Sequence, residues 1–239
     1  MNVKDLVHLK MLSFNYILLN FFFSCKDSNE FQLFPNENTD PKCWIKPSFK
    51  RVVILIVDAL RYDFATYNKS LPSSQALPYQ NKMPVFNEML EDNPRQSRLY
   101  PFIADAPTTT MQRLKGLTTG SLPTFIDASN NFASEEIIED NLIDQIVKHG
   151  KHMIMLGDDT WGSLFPGRFL RQHLYPSFNV MDLHTVDNGV LDHLQNELSG
   201  SDWDVIVGHF LGVDHCGHRY GPNHAEMANK LMQLNEEIR

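Results

Sequence analysis

The sequence predicts an α/β domain built on a mostly parallel sheet, and three observations carry that reading. Short, apolar, β-branched runs recur at 51–60 (RVVILIVDAL), 152–157 (HMIMLG) and 204–210 (DVIVGHF), the pattern of strands buried on both faces. Segments of helical period lie between and around them, near 83–90, 111–117, 134–149 and 186–198, so strands alternate with helices. The 239 residues are 42% hydrophobic, which supplies one substantial core or two small ones and excludes a wholly disordered chain.

The first element, within residues 1–30, is a hydrophobic segment. Its centre, 11–23 (MLSFNYILLNFFF), follows Lys4 and Lys10 and precedes Lys26 and Asp27, the layout of a targeting segment. The run is shorter than the roughly 20 residues that span a bilayer, so a signal-peptide core and a short anchor both fit. Phe23, Ser24 and Cys25 match a cleavage site poorly, which favours an uncleaved anchor with Lys10 cytoplasmic and the rest lumenal. A buried core helix is the alternative. Residues 31–50 are polar and carry Pro35, Pro41 and Pro47, a connector into the domain at 51–239. Asn68-Lys69-Ser70 is an N-glycosylation acceptor, compatible with a lumenal chain.

Composition narrows the function. Lys and Arg number 21 against 29 Asp and Glu, a net charge of −8, which argues against nucleic acid as the main partner. Three cysteines, Cys25, Cys43 and Cys216, are too few and too scattered for a disulfide scaffold or a CxxC zinc site. Pairing of Cys25 with Cys43 and two free thiols both remain open.

Each predicted strand ends in polar residues: Asp58 after the first, Asp158 and Asp159 after the second, His209 and then Asp214 after the third. In open α/β sheets ligands bind beyond the carboxyl ends of the strands. A carboxylate at Asp58, directly after an apolar strand, requires a metal ion or a basic partner, and Arg61 is the local candidate. The stretch 212–222 (GVDHCGHRYGP) packs Asp214, His215 and His218 between glycines. Asp and His four apart can meet on one ion, a mixed oxygen and imidazole set that suits Zn²⁺. His215 fits an outer supporting role and Cys216 a packing role; a solvated polar loop is the alternative for the whole cluster. In 106–120 (APTTTMQRLKGLTTG) three threonines precede a helical pattern, where the helix dipole and a bound metal would turn a hydroxyl into a nucleophile. Plain N-capping by Thr108 or Thr109 is the alternative.

Five motifs together carry a resemblance: VDALRYDF, PTTTMQRLKGLTTGSLPTFID, GDDTWGSLFPG, FNVMDLHTVDNG and HFLGVDHCGHRYGP. From about Cys43 to the end, the chain resembles the lumenal domain of the GPI ethanolamine phosphate transferases, and among them the branch that modifies the third mannose of the anchor. The resemblance implies an alkaline phosphatase-like sandwich with two divalent metal ions, usually zinc, around a Ser or Thr nucleophile. It makes Asp58 a ligand of the metal that also holds the nucleophile. It makes Thr110 that nucleophile, because P-T-x-T relatives attack through the second of the two threonines. Asp214 and His218 become ligands of the other metal.

The implied reaction moves phosphoethanolamine from phosphatidylethanolamine to the 6-hydroxyl of the third mannose of a GPI glycolipid, through a covalent threonine intermediate. The implied setting is the endoplasmic reticulum membrane, with a lumenal catalytic domain and a small membrane partner subunit. Asp158 and Asp159 are placed to receive the ethanolamine ammonium, with a structural network through Arg168 or Arg171 as the alternative. The chain departs from the family in one respect: the later Asp-His pair and further His that complete the two-metal centre are expected beyond residue 239. The helical pattern over 225–239 (AEMANKLMQLNEEIR) has no stop signal, so a C-terminally truncated domain is expected. His149, His152, His173, His184 and His193 show no spacing that would replace those ligands. An inactive binding module and a related phosphodiesterase or sulfatase are the other readings.

Overall fold

The computed structural model describes residues 49–104, 106, 108–122 and 136–239. The hydrophobic segment at 1–30, the connector up to residue 48 with Cys25 and Cys43, and Pro107 lie outside the described residues.

The described residues form a four-stranded parallel sheet in the order β1-β4-β2-β3: β1 is Val52–Val57, β2 Met153–Asp158, β3 Arg171–Tyr175 and β4 Val205–Phe210. Helices α1 (Tyr62–Ala65), α2 (Val85–Asp92), α3 (Thr110–Thr119) and α4 (Leu142–Lys148) separate β1 from β2. Then follow α5 (Thr160–Leu164) before β3, α6 (Thr185–Ser199) before β4, and α7 (Gly212–Tyr220) and α8 (Ala225–Ile238) at the end.

The three apolar runs are strands because side chains on both of their faces are covered. Val53, Leu55 and Val57 share one face with Ile154, Leu156 and Ile206, packed against Val190 and Leu194 of α6, Val213 of α7 and Leu231 of α8. Val52, Ile54 and Ile56 share the other with Met153, Met155, Val205 and Val207, packed against Leu114 of α3, Ile143 and Ile146 of α4 and Trp161 of α5. Every residue of β2 and β4 is buried, and each fully buried aliphatic side chain stabilises the fold by about 1.5–3 kcal/mol. The result is the predicted α/β sandwich. β1 is half-buried along its whole length, and among the described residues no strand pairs with its outer edge.

Four elements differ from the sequence reading. β3 (RQHLY) carries Arg171 and His173 and shows no apolar run, because it is an edge strand fastened by charge. Arg171 meets Glu197 at 2.7 Å and Asp202 at 2.6 Å, and His173 Nε2 lies 3.0 Å from Glu197. α4 starts only at Leu142, since Asn141 caps it by accepting the Asp144 amide. Segment 212–220 is a full helix, longer than the turn or first helical turn that its Asp-His spacing requires, and α5 is a short turn of helix after β2. Among the described residues no helix is long and apolar enough to cross a membrane.

The hydrogen bonds from Arg171, and then His173, outweigh burial and hold the Glu197 carboxyl below its ordinary value. A depressed carboxylate stabilises the fold above its unfolded pKa and loses that contribution as pH falls through the folded value. Glu197→Gln is therefore expected to lower stability at neutral pH by about 1 kcal/mol and to flatten the acid limb of a thermal-melting profile. Parallel acid limbs for variant and parent would remove this pair from the account of how β3 is held.

Candidate active site

The parallel register brings three strand ends to one edge of the sheet. Val57 lies opposite Phe210, and His209 opposite Gly157. Asp58 extends the pairing by donating its amide to the Phe210 carbonyl at 3.0 Å. Ala59 then takes a left-handed conformation (φ 55°), a strained turn costing about 1–3 kcal/mol that ends the strand at the carboxylate. Asp58 Oδ1 accepts the Ala59 amide at 2.9 Å, which leaves Oδ2 to face the sheet edge.

Asp58 is not partnered by Arg61. The Arg61 guanidinium bonds Asp63 and lies over the rings of Phe64 and Tyr79, 4.8 and 5.1 Å from their centroids. The partner of Asp58 is Thr110, whose hydroxyl donates to Oδ2 at 2.7 Å. Thr109 occupies the N-cap of α3 and makes no side-chain capping bond, and Thr108 is exposed. Of the three threonines, Thr110 is the one joined to a strand-end carboxylate.

His209, 1% exposed, stands between two carboxylates. Its Nε2 is 4.0 Å from Asp58 Oδ2 and its Nδ1 is 3.2 Å from Asp158 Oδ2. Two groups compete for Nδ1, because the Trp161 indole N–H, 3.0 Å away, can only donate to it, while the Asp158 carboxylate can only accept. A bare Nδ1 satisfies Trp161 and leaves Asp158 Oδ2 a buried oxygen without a hydrogen bond. A protonated Nδ1 satisfies Asp158 and turns the Nε2 lone pair towards Asp58. Burial pushes the Asp158 carboxyl up, but the bond and charge of His209, with help from Thr160, outweigh it and leave it below its ordinary value.

The opposite side comes from α7. Asp214 sits in its first turn, and His218 Nε2, one turn on, lies 3.5 Å from Asp214 Oδ2. Burial, and then the charge of Asp58, push the Asp214 carboxyl up, with His218 opposing. Both carboxylates line one cavity of about 1400 Å³, together with Thr110, His209 and His218. Tyr62, Tyr100, Phe102 and Phe178 line its apolar part.

The remaining candidates have other partners. The two ring nitrogens of His215 lie 2.7 and 3.0 Å from the carbonyl oxygens of Asp182 and Ser177, and whichever carries the proton ties α7 to the segment before α6. Cys216 is fully buried in the core, and burial pushes its thiol up. Asp158 lies beneath His209 with no exposure, and Asp159 accepts from the Ser177 hydroxyl at 2.7 Å. Neither meets Arg168 or Arg171, which pair with Glu136 and Asp144 and with Glu197 and Asp202. His152, His173, His184 and His193 all point into contacts away from the cavity.

The donor chemistry fits a divalent cation. Two carboxylates, a hydroxyl and imidazoles on one cavity wall form a mixed oxygen and nitrogen set, and a cation would neutralise the carboxylate charge there. Among the described residues, no three His, Cys, Asp or Glu side chains yet converge as a metal-binding group. The set divides into Asp58 with Thr110, close to His209, and Asp214 with His218. From the sequence His209 is only a polar strand end; the pairing opposite Gly157 places it between Asp58 and Asp158.

No family model matches the chain. Over 199 residues, 82% of the chain and 18% of the relative, it is 53% identical to "GPI ethanolamine phosphate transferase 3, catalytic subunit" of Mus musculus. It is 48% identical over 198 residues to GPI ethanolamine phosphate transferase 3 of Saccharomyces cerevisiae, covering 81% of the chain and 19% of the relative. To "GPI ethanolamine phosphate transferase 2, catalytic subunit" of Homo sapiens it is 39% identical over 194 residues, 80% of the chain and 18% of the relative. The chain thus spans about a fifth of the length of the curated relatives it matches. On 47–53% identity over about four-fifths of its residues, the chain belongs to the GPI ethanolamine phosphate transferase 3 family.

Proposed function

We propose that this chain carries the nucleophile and part of the metal centre of a phosphoethanolamine transferase of GPI-anchor biosynthesis. The observation that carries the reading is the Thr110 hydroxyl held on Asp58 at the sheet edge, in the cavity that Asp214 also lines. The names of the relatives supply the reaction class. The donor is phosphatidylethanolamine, and the acceptor is the 6-hydroxyl of the third mannose of a GPI glycolipid. The setting is the lumenal side of the endoplasmic reticulum membrane, alongside a small membrane partner subunit.

Thr110 Oγ attacks phosphorus, a new P–O bond forms, and the bond to the diacylglycerol oxygen breaks, that oxygen taking a proton as it leaves. Asp58 holds the Thr110 proton and fixes the direction of the attacking lone pair. The mannose hydroxyl then attacks the phosphothreonine, gives up its proton, and restores Thr110. Two divalent ions, zinc by the resemblance, would be held by Asp58 with Thr110 and by Asp214 with His218, and supply positive charge that acidifies a hydroxyl and neutralises phosphate. The ethanolamine ammonium would be received at the end of β2 by Asp158, which lies under His209 at the cavity wall, or by Asp159, which is bonded to Ser177 outside the lining.

The test is a chimera in which this chain replaces the matched segment of the S. cerevisiae relative, assayed in microsomes with labelled phosphatidylethanolamine. Label in a GPI mannolipid supports transfer. Label released only as water-soluble phosphoethanolamine assigns the site to a phosphodiesterase, and no turnover at all points to a binding module.

Metal content is checked separately on the chain. Asp214→Ala and His218→Ala are each expected to weaken zinc binding by about 10–100-fold at one site, measured by competition with a chelator. Unchanged affinity in both variants would strike both residues from the ligand set.

A further inference from the structure

Beneath the cavity lies a buried charge network that the chemistry above does not use. Asp187, in the first turn of α6 and 1% exposed, faces Lys230 of α8, 2% exposed, at 3.2 Å. Its Oδ1 accepts the backbone amides of Leu211 and Gly212, both at 2.9 Å. Those are the N-cap and first residues of α7, the two steps between the end of β4 and the helix that carries Asp214 and His218. A carboxylate from one helix therefore caps the positive end of another. Lys230 is held in turn by Gln233 at 2.8 Å and by the His184 ring at 3.1 Å.

The backbone is shaped around this carboxylate. A Cβ at Gly212 would fall 2.3 Å from Asp187 Oδ2, 2.7 Å from Lys230 Cε and 2.8 Å from the Leu183 carbonyl oxygen. Only glycine lets the ion pair approach the turn. Asp187 Oδ2 has the charge of Lys230 beside it but no hydrogen bond of good geometry. A buried pair of this kind adds little stability over an apolar pair of the same volume, so its distinguishing effect is on geometry.

We propose that Asp187, backed by Lys230, is a positioning residue: it locks the β4–α7 turn so that His209 on the strand and Asp214 and His218 on the helix face one cavity mouth. The proposal rests on the reading of Asp214 and His218 as metal ligands, and the experiment separates the two.

The deciding variant is Asp187→Leu with Lys230→Met, which removes both charges while keeping an apolar fill. It is expected to fold but to melt below the parent, because the buried amides of Leu211 and Gly212 lose their acceptor, to bind zinc about 10–100-fold more weakly, and in the chimera to lose kcat at an unchanged KM. Parent-like zinc affinity and kcat in this variant would overturn the proposal. Should it fail to fold, Asp187→Asn decides: the amide oxygen still caps both backbone amides, so zinc affinity is expected to stay within a few-fold of the parent despite lower stability. A folded Asp187→Asn protein that loses zinc affinity tenfold or more would overturn the capping role. A parent chain that binds no zinc while the chimera transfers would retire the metal assignment and leave kcat to judge Asp187. An inactive chimera would retire the transferase reading and leave zinc affinity to judge it.

Discussion

Thr110→Ala in the chimera is expected to reduce phosphoethanolamine transfer by about 10⁴-fold or more, the scale on which removal of a nucleophile acts. The substitution deletes the hydroxyl that bonds Asp58 at 2.7 Å, and one methyl group, at the first residue of α3, so the melting temperature should shift little. Thr110→Ser keeps an attacking hydroxyl in the same place and should retain measurable transfer, which an indirect packing role would not explain. Trapping labelled phosphoethanolamine on the protein, with the label lost in Thr110→Ala, checks the covalent step directly. Full activity in Thr110→Ala would transfer the role to Thr108 or Thr109, neither of which touches Asp58 in this fold.

Gly157→Ala is expected to be the most damaging single methyl group in the sheet. Gly157 has a φ of +112°, which L side chains rarely adopt, and its Cβ would stand 2.1 Å from the carbonyl oxygen of His209 and 2.9 Å from Val190 Cγ2. No rotamer change relieves a clash with backbone, so β2 and β4 must separate where their register sets His209. A loss of about 4 kcal/mol or more follows, read as insolubility or as a chain without a cooperative melt. A variant within about 1 kcal/mol of the parent would mean that the Gly157–His209 register is wrong, and with it the placement of His209 between the two carboxylates.

What the sequence reveals and what it hides follow from the same physics. β1, β2 and β4 are legible because strands covered on both faces need unbroken apolar runs, and VVILIV cannot serve a solvated helix. β3 is hidden because an edge strand needs no such run; it is fastened by Arg171 to Glu197 and Asp202, residues that only folding brings together. The full length of α7 is hidden because Gly212 and Gly217 lower its helical propensity. Gly212 is needed for contact with Asp187, and that contact supplies the cap which makes the helix. Asp58, Thr110, Asp214 and His218 could be named from strand-end position, motif spacing and resemblance. The supporting partners could not, since Trp161 and Asp158 reach His209 only across the β2–β4 pairing.

The position of β1 also sets a timetable. VVILIV has no charge, proline or glycine, and its only strand partner among the described residues is β4. That partner begins about 150 residues further along the chain, so at synthesis rates of about 5–20 residues per second β1 waits roughly 8–30 s before it can pair. During that wait it is a six-residue segment of the kind that adds readily to another open strand. The element that delivers Asp58 to the site is therefore also the one most dependent on protection while the chain is being made.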